Sequence, residues 1–341
     1  MLKRTGPMRT DPLEWGELPD PVPAEGEVLI RVSVCGVCHT ELDEIEGRLP
    51  PPRLPVVPGH QVIGRIEALG PGVHDLTPGQ RVGVAWIYAS CGSCVQCRSG
   101  RENLCPDFRG TGKDAHGGYA EFMTVPGGFV YTIPEVFSDA EAAPLLCAGA
   151  IGFRSLRLAA MDNGRVLGLT GFGASAHLVL QAARHLYPDS PVAVFTRSPA
   201  EQEFARELGA AWAGGIGERA PWPVDSMIDT TPAWKPIVEA LGALAPGGRL
   251  VINAIRKERN DQKELLRLDY PEHLWMEKQI TSVANVTRED VRGFLALAAE
   301  IPVRPEVQRF PLRDANRALH ELATRKIRGA KVLEVAGSPA S

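Results

Sequence analysis

Four cysteines lie close together in the segment SCGSCVQCRSGRENLC. Two residues separate the first from the second and the second from the third, and seven precede the fourth; the set is Cys91, Cys94, Cys97 and Cys105. Four thiolates at this spacing can complete a tetrahedral shell around zinc and leave no open coordination position, as in a structural site. The spacing favours structural zinc, with an iron–sulfur cluster or free thiols as the alternatives.

Three other potential metal ligands lie far apart in the chain: Cys38 in CGVCHTELD, His60 in VPGHQVIG and Cys147 in PLLCAGA. A single cysteine is more often a small buried apolar group. A single histidine more often satisfies a polar contact in the core. Each residue alone is a weak signal, and the three gain their value as candidates from occurring together.

The segment GFGASA directly follows a predicted strand and opens a predicted helix. Its first glycine permits a tight turn, its second lets a pyrophosphate approach the backbone, and a small residue at its end lets helix and strand pack closely. In this strand–turn–helix context the pattern predicts dinucleotide binding. The candidate residues are Gly171, Gly173, Ala174, Ser175 and Ala176.

The first 150 residues, which must position the cysteines, are rich in glycine and proline. Residues 28–34, with the sequence VLIRVSV, alternate apolar and polar side chains as a half-buried strand does. Residues 61–68 and 80–87 repeat this pattern. We expect a mostly β unit that carries long functional loops.

From about residue 147 to residue 285, strand and helix patterns alternate. We predict buried strands at 165–170 and 191–196, and between them an amphipathic helix at 174–187 that ends before Pro188. Strands separated by helices imply a parallel, doubly wound sheet. Further strands are expected at 225–228, 249–253 and 279–283.

A second helix is predicted from its terminal residues. Ser198 at the N-cap, Pro199 at the first helical position and Glu201 form a capping box, and Gly209 ends the helix. The last stretch, from residue 287, holds a helix beginning near Arg288 and a strand at 331–335. We expect this stretch to return to the first domain.

The composition narrows the class of partner. A chain of 341 residues is long enough for two domains, and its formal net charge of −4 gives no electrostatic reason to expect nucleic acid or an anionic membrane. The N-terminus lacks an apolar targeting core, and no apolar run approaches the roughly 20 residues of a bilayer span. We therefore expect a cytoplasmic protein with a small-molecule partner. The chain has seven cysteines, and an odd number in a reducing compartment argues against a disulfide framework.

The order of five motifs, CGVCHT, PGHQVIG, the four-cysteine loop, PLLCAGAIGFRSL and GLTGFGASAH, resembles that of the zinc-containing alcohol dehydrogenases of the medium-chain dehydrogenase/reductase superfamily. The resemblance covers essentially the whole chain. It implies an α/β protein with a GroES-like, β-rich catalytic domain formed by residues 1–149 and 287–341. It also implies a Rossmann domain with a doubly wound parallel sheet, formed by residues 150–286, which binds the dinucleotide.

The same resemblance implies two zinc ions per chain. The four-cysteine loop corresponds to the structural site. The ligands of the catalytic site correspond to Cys38, His60 and Cys147, with water or the substrate oxygen as the fourth ligand. Cys35 corresponds to no ligand and is assigned to packing.

Three further positions correspond to functional residues of the family. Thr40 matches the hydroxyl that hydrogen-bonds the substrate alcohol, and Asp43 lies where the proton relay reaches solvent. Trp86 matches an aromatic wall of the substrate pocket. The resemblance therefore implies reversible hydride transfer between a primary or small secondary alcohol and NAD(P)⁺, giving an aldehyde or ketone.

The sequence departs from the family pattern at three positions. Glu41 replaces the usual aspartate beside the catalytic zinc and is expected to orient His60 still. Gln61 replaces the common glutamate after the histidine ligand, which removes a negative charge. Ala330 replaces an arginine that contacts the cofactor phosphates in many relatives, and Arg328 and Lys331 are the possible substitutes.

Cofactor choice is predicted from the end of the second strand of the nucleotide-binding domain. NAD-binding Rossmann domains usually carry an acidic residue there, which hydrogen-bonds the ribose 2′-hydroxyl. This chain instead has Thr196, Arg197 and Ser198, which suit a 2′-phosphate. We therefore predict a preference for NADP(H), with NAD(H) possible, the alternative being that Arg197 stacks on adenine or faces solvent.

Three alternatives to an alcohol dehydrogenase fit the sequence less well. Polyol dehydrogenases often carry glutamate as the third ligand, so Cys147 argues against them, and a zinc-free quinone or enoyl reductase would lack these cysteines. A catalytically silent zinc-binding relative would have lost Cys38, His60 or Thr40, and all three are present. A homo-oligomer, either dimer or tetramer, is expected from the family.

Overall fold

The computed structural model of the chain describes residues 1–301, 303–324 and 328–335. The chain forms two compact units. Met1–Ala150, Asn285–Ala299 and Arg304–Ser341 make up the first unit, and Ile151–Ala284 with Glu300–Val303 make up the second. Both ends of the chain therefore contribute to the first unit.

Within the described residues the strands are β1 (Glu27–Val37), β2 (Val62–Leu69), β3 (Arg81–Val84), β4 (Ile87–Ala89), β5 (Arg109–Gly110), β6 (Phe122–Pro126), β7 (Val130–Thr132), β8 (Leu167–Thr170), β9 (Val192–Phe195), β10 (Trp212–Gly214), β11 (Val224–Asp229), β12 (Leu244–Ile252), β13 (Gln279–Ser282), β14 (Val307–Pro311) and β15 (Ala330–Glu334). The α-helices are α1 (His39–Ile45), α2 (Val95–Arg98), α3 (Asp139–Pro144), α4 (Ala150–Ala159), α5 (Ala174–Leu186), α6 (Pro199–Glu207), α7 (Lys235–Ala243), α8 (Tyr270–His273), α9 (Arg288–Glu300) and α10 (Ala315–Ala323). A π-helical turn spans Leu145–Gly149.

The first unit contains a seven-stranded sheet with the order β14-β15-β1-β2-β3-β7, and β6 pairs with the beginning of β1. The alternation predicted for residues 28–34 is confirmed, because Val28, Ile30 and Val32 are fully buried whereas Arg31 faces solvent. The C-terminal strand β15 runs antiparallel to β1 in the same sheet. Strand β1 thus lies between segments from both ends of the chain.

The single strand predicted at 80–87 is wrong, because it divides into β3 and β4. Strand β3 pairs with β2 and β7, whereas β4 pairs with β5. At the break, the Thr111 hydroxyl donates to the carbonyl of Ala85 and the Thr111 N–H donates to the carbonyl of Trp86, both at 2.8 Å. These bonds draw the chain away from the large sheet and leave Trp86 between the two strands.

The second unit contains a six-stranded parallel sheet with the order β10-β9-β8-β11-β12-β13. The five predicted strands of this region are confirmed with shifted ends, whereas the short β10 and helix α7 were not predicted. The strand order reverses between β8 and β11, and ligands of such sheets bind at this switch point. Thr170 at the end of β8 donates a 2.5 Å hydrogen bond to Asp229 at the end of β11.

Helix α6 begins as predicted, but its capping box is incomplete. The Ser198 hydroxyl accepts a hydrogen bond from the N–H of Glu201 at 3.3 Å. The Glu201 carboxylate does not return to the N–H of Ser198 and instead accepts a hydrogen bond from the Thr196 hydroxyl. A local pattern could not show this contact, because it depends on where β9 ends relative to the helix.

Judged by length and composition alone, one helical stretch, Asp139–Ala159, could cross a membrane. This stretch does not overturn the expectation that no apolar run approaches a bilayer span, because Asp139, Glu141, Arg154 and Arg157 interrupt it. Of its most apolar 18-residue window, 67% is buried inside the protein, as in a core helix. The stretch also contains Pro144 and Cys147 in and beside its π-helical turn.

Candidate metal centres and cofactor site

The four cysteines of the loop that begins at Cys91 converge on one point. Their sulfur atoms all lie within 4.8 Å of one another, and Cys91 Sγ lies 3.5 Å from Cys105 Sγ and 3.9 Å from Cys97 Sγ. Helix α2 begins directly after Cys94, which sets the turn between the second and third cysteines. Four sulfur donors in this arrangement fit a tetrahedral zinc ion.

Backbone N–H groups of the loop point at the sulfur atoms. Cys94 N–H donates to Cys91 Sγ and Cys97 N–H donates to Cys94 Sγ, each at 3.4 Å. Donation from the backbone of Ser93 and Cys94 lowers the pKa of Cys91 to about 6. At Cys105, backbone donation is outweighed by desolvation and by the contacts with Cys91 and Cys97, which raise its pKa to about 11. The backbone donors therefore favour the thiolate form at Cys91, and donors aimed at the sulfur atoms suit the metal site predicted from the spacing.

The second group, Cys38, His60 and Cys147, also converges, with its ligand atoms within 4.8 Å of one another. Cys38 is the N-cap of α1 and Cys147 lies in the π-helical turn. His60 Nε2 lies 3.2 Å from Cys147 Sγ, although 87 residues separate them in sequence. Three donors of types that zinc prefers leave one tetrahedral position open, as in a catalytic site.

The pairing of β1 with β2 brings Cys38 and His60 together. Cys35 near the end of β1 lies opposite Val62 at the beginning of β2. The residues that follow β1 and precede β2 therefore lie at the same edge of the sheet. Cys35 itself is fully buried and belongs to neither sulfur group.

Glu41 contacts both Cys38 and His60. Its Oε1 lies 2.5 Å from His60 Nδ1, and its Oε2 accepts a hydrogen bond from the N–H of Cys38 at 2.8 Å. Burial raises the pKa of Glu41, and the charge of His60 opposes that shift. The contact with Nδ1 leaves Nε2 facing the sulfur atoms, which is the arrangement that a histidine ligand needs.

The structure brings two of the three other predicted residues to this centre. Thr40 is 8% exposed, and its hydroxyl lies 3.7 Å from Cys38 Sγ. The ring centroid of Trp86 lies 6.3 Å from that of His60. Asp43 is nearly buried and accepts a 2.6 Å hydrogen bond from Arg48, so its carboxylate is held by that side chain.

Two neighbours of the site were not predicted. Phe108 packs against Trp86 with ring centroids 5.6 Å apart. Glu44 is 1% exposed, and its carboxyl oxygens have no hydrogen-bond partner among the described residues. Burial, and then the charge of Glu41, raise the pKa of Glu44 well above 4.5. The spacing of Glu41 and Glu44 on α1 could have shown that they share a helix face.

Gln61 lies against β1 rather than in an open position. It is 3% exposed, and a Cβ atom at Gly36 would lie 2.5 Å from its Oε1. The carbonyl of Gln61 also accepts the N–H of Gly36 at 2.9 Å. Close packing therefore requires glycine at position 36 and holds the Gln61 side chain.

The GFGASA segment forms the predicted turn between β8 and α5. Gly171 has φ of +76°, and a Cβ there would lie 2.9 Å from the Thr231 side chain. A Cβ at Gly173, the N-cap of α5, would meet no atom within 4 Å. Ala176 is fully buried. The open space at a helix N-terminus fits a pyrophosphate, which backbone N–H groups there can bind.

Two other members of this segment also begin α5. Ala174 is the first residue of the helix, and the Ser175 hydroxyl accepts a 3.4 Å hydrogen bond from the side chain of Asn253. Asn253 directly follows β12. The carboxyl ends of β8 and β12 are thus linked through side chains on either side of β11.

The three residues predicted to bind a 2′-phosphate have different environments. Thr196 is 4% exposed and its hydroxyl contacts Glu201, while the Ser198 hydroxyl caps α6. Arg197 is exposed and has no hydrogen-bond or ion-pair partner within the described ranges. Arg197 is therefore the member of the three whose side chain is available to a ligand.

Near the C-terminus, Ala330 is buried at the start of β15. Lys331 is fully buried, with Nζ 2.6 Å from Gln308 Oε1 and 2.8 Å from Glu321 Oε2. The proposal that Lys331 substitutes for a phosphate-binding arginine is therefore wrong, because the Lys331 ammonium group is buried and already bonded to Gln308 and Glu321. Arg328 is exposed, beside Glu306 at 3.5 Å.

Comparison with known proteins gives consistent matches. The alcohol dehydrogenase GroES-like domain matches residues 24–135. "Probable alcohol dehydrogenase AdhA" of Mycobacterium tuberculosis is 43% identical over 337 residues, which cover 97% of this chain and 95% of that protein. An alcohol dehydrogenase of Geobacillus stearothermophilus is 32% identical over 333 residues, covering 95% of this chain and 96% of that protein.

The fold comparison agrees. A cobalt- and zinc-bound thermostable alcohol dehydrogenase from Pyrobaculum aerophilum matches with a TM-score of 0.85 at 25% identity, over 98% of both chains. The large sheets of the two units are those of a GroES-like domain and a Rossmann-like domain. With a relative 43% identical over nearly its whole length, this chain belongs to the zinc-containing alcohol dehydrogenases of the medium-chain dehydrogenase/reductase superfamily.

Proposed function

We propose that this chain catalyses reversible hydride transfer between a primary or small secondary alcohol and NAD(P)⁺, giving an aldehyde or ketone. The convergence of Cys38, His60 and Cys147 within 4.8 Å carries the proposal. When bound, zinc supplies Lewis acidity toward the substrate oxygen and the nicotinamide ring supplies the hydride acceptor. The protein supplies the placement of these groups.

Within the first unit, each residue near Cys38 has a separate task. Thr40 holds a hydroxyl 3.7 Å from Cys38 Sγ, where it would exchange a proton with the substrate oxygen. Glu41 orients His60 through its Nδ1 atom. Trp86 and Phe108 form an aromatic wall that excludes water from an apolar substrate. Asp43, held by Arg48, is the candidate end of the proton path toward solvent.

We further propose two zinc ions per chain, one at each group of ligands. The four-cysteine site has no open position, so its contribution is to the stability of the loop. The first unit then serves as the catalytic domain. The second unit, with an open helix N-terminus at Gly173, binds the dinucleotide.

NADP(H) is the proposed preferred cofactor, with NAD(H) also accepted. Arg197 supports this preference, because it is exposed at the end of β9 and its guanidinium can pair with a 2′-phosphate. The strand end itself carries Thr196 rather than a carboxylate. Comparing kcat/KM for the two cofactors tests the preference, and a tenfold advantage for NAD would refute it.

A homo-oligomer, dimer or tetramer, located in the cytoplasm, completes the proposal. Strand β13 ends the sheet of the second unit, and Ile280 on this strand is 46% exposed. Trp275 and Met276, just before it, are 55% and 51% exposed. An exposed strand edge beside apolar side chains suits pairing with a second copy. Light scattering of the wild-type chain and the Ile280→Lys variant tests this pairing.

The decisive experiment measures zinc per chain and alcohol oxidation together. We expect two zinc ions and chelator-sensitive turnover on a panel of primary and secondary alcohols, assayed with both cofactors. Turnover on polyols alone would favour a polyol dehydrogenase. One tightly held zinc with no turnover on any alcohol would support a catalytically silent relative instead.

A further inference from the structure

A carboxylate lies at the end of β9 although the strand itself ends without an acidic residue. Glu201, in the first turn of α6, accepts a hydrogen bond from the Thr196 hydroxyl. Thr196 lies at the end of the strand, where in Rossmann domains the side chain distinguishes a 2′-hydroxyl from a 2′-phosphate on the adenosine ribose. Helix α6 therefore places the Glu201 carboxylate beside a strand end that has no acidic residue of its own.

Other contacts hold Glu201 and Thr196 in place. The N–H of Glu201 donates to the Ser198 hydroxyl at 3.3 Å. The side chain of Gln202 donates to the carbonyl of Thr196 at 3.0 Å. Thr196 is 4% exposed, whereas Glu201 is only partly buried and keeps contact with solvent. The carboxylate is thus fixed at one oxygen by Thr196 and remains accessible to a ligand.

The charge of Glu201 acts differently on the two cofactors. A ribose 2′-hydroxyl can donate a hydrogen bond to a carboxylate, and such a charge-assisted bond is stronger than a neutral one. A 2′-phosphate has no such donor and carries like charge, so a nearby carboxylate disfavours it. The guanidinium of Arg197 has the opposite preference. The two side chains, four residues apart, therefore oppose each other.

We propose that Glu201 is a specificity-determining residue that accepts the 2′-hydroxyl of NAD(H), and that Thr196 is the positioning residue that holds its carboxylate. The balance between Glu201 and Arg197 then gives a site that takes both dinucleotides. This inference rests on the proposed function, since it assumes that the dinucleotide binds with its adenosine ribose beside Thr196.

The test measures dissociation constants of NAD⁺ and NADP⁺ by titration calorimetry, using the full-length, zinc-loaded chain. Glu201→Gln keeps the shape and an acceptor for Thr196 but removes the charge. We expect it to weaken NAD⁺ binding about tenfold and to leave NADP⁺ binding unchanged or tighter. Arg197→Gln should give the reverse pattern, with NADP⁺ weakened about tenfold.

Two further variants separate specificity from a structural role. Thr196→Val removes the hydroxyl that holds the carboxylate and should weaken NAD⁺ binding more than NADP⁺ binding. Glu203→Gln, on the same helix, removes a carboxylate that pairs with Arg206 at 3.4 Å and is 67% exposed. This control should leave both dissociation constants unchanged.

The outcomes distinguish failure of the inference from failure of the proposed function. If neither dinucleotide binds the wild-type chain, the proposed function is wrong. If both bind and Glu201→Gln weakens them equally or leaves both unchanged, Glu201 does not determine specificity. A shift of the NAD⁺ to NADP⁺ affinity ratio by about tenfold in Glu201→Gln, absent in Glu203→Gln, supports the inference.

Discussion

Glu41 Oε1 lies 2.5 Å from Nδ1 of His60, and both side chains are buried, with 0% and 1% exposed. Glu41 also accepts the N–H of Cys38 through its second oxygen. One carboxylate therefore holds the side chain of one proposed zinc ligand and the backbone of another. When a carboxylate contacts the histidine ring nitrogen that does not bind the metal, it fixes the orientation of the ring toward the metal.

Glu41→Gln should weaken zinc binding at the Cys38 site. The amide can still accept the N–H of Cys38 but pairs less strongly with Nδ1 of His60, and loss of such partners typically costs roughly 10–100-fold in metal affinity. Metal analysis after a graded chelator challenge measures this effect. Glu67→Gln, which removes a surface carboxylate paired with Arg31, is the control. Equal zinc retention in all three proteins would contradict the role of Glu41.

Thr40→Val should abolish most turnover while leaving zinc content unchanged. The variant keeps the branched shape of a nearly buried side chain and removes the hydroxyl that lies 3.7 Å from Cys38 Sγ. Loss of proton transfer at this position should lower kcat by about 100-fold or more. Thr40→Ser restores the hydroxyl and should recover most of the rate. A Val variant with wild-type kcat would exclude Thr40 from the proton path.

The two groups of ligands should respond separately to loss of a cysteine. Cys147→Ser should lose one zinc and alcohol oxidation, because it removes a donor from the open site, while the four-cysteine loop stays intact. Cys97→Ser should lose the other zinc and lower Tm, because the closed site stabilises its loop. Zinc per chain by mass spectrometry and Tm by calorimetry measure both effects.

Cys35→Ala is the matched control for both cysteine variants. Cys35 is fully buried, and the structure places it outside both sulfur groups. Zinc content should therefore remain at the wild-type value, with at most a moderate loss of stability from the smaller side chain. Loss of a zinc ion from this variant would show that the division of the cysteines is wrong.

Glu44→Gln should stabilise the fold increasingly as pH rises. Burial raises the pKa of Glu44 in the folded chain above the 4.5 expected when unfolded, so the folded state holds its proton longer. The stabilisation from this protonated carboxyl is complete below pH 4.5 and is lost as pH rises through the raised pKa. Gln, which does not titrate, avoids that loss.

Urea unfolding at several pH values measures the effect of Glu44→Gln. The variant and the wild-type chain should have similar free energies of unfolding near pH 4, and the variant should be more stable at pH 8. Glu289→Gln, on an exposed helix start, serves as a control for loss of one negative charge. A constant difference between variant and wild type at all pH values would show that Glu44 does not titrate as its burial implies.

Residue type and spacing predict those features that depend on residues close together in the chain. The four cysteines from 91 to 105 and the GFGASA turn need only local backbone geometry to converge, so spacing and residue type predict them. The alternation in VLIRVSV likewise predicts β1, because the side chains of a strand alternate between faces. The family resemblance added roles for Cys38, His60 and Cys147 that spacing alone left open.

Contacts between residues far apart in sequence depend on how the separate segments pack together. His60 and Cys147 meet across 87 residues only because β2 pairs with β1 and a π-helical turn faces the same edge. Burial of Lys331 beside Glu321 removed a cofactor ligand that its sequence position had suggested. The Thr196 to Glu201 contact replaced a predicted capping bond. In each case the partner of the side chain depends on how separate segments pack together, and no local sequence pattern encodes that packing.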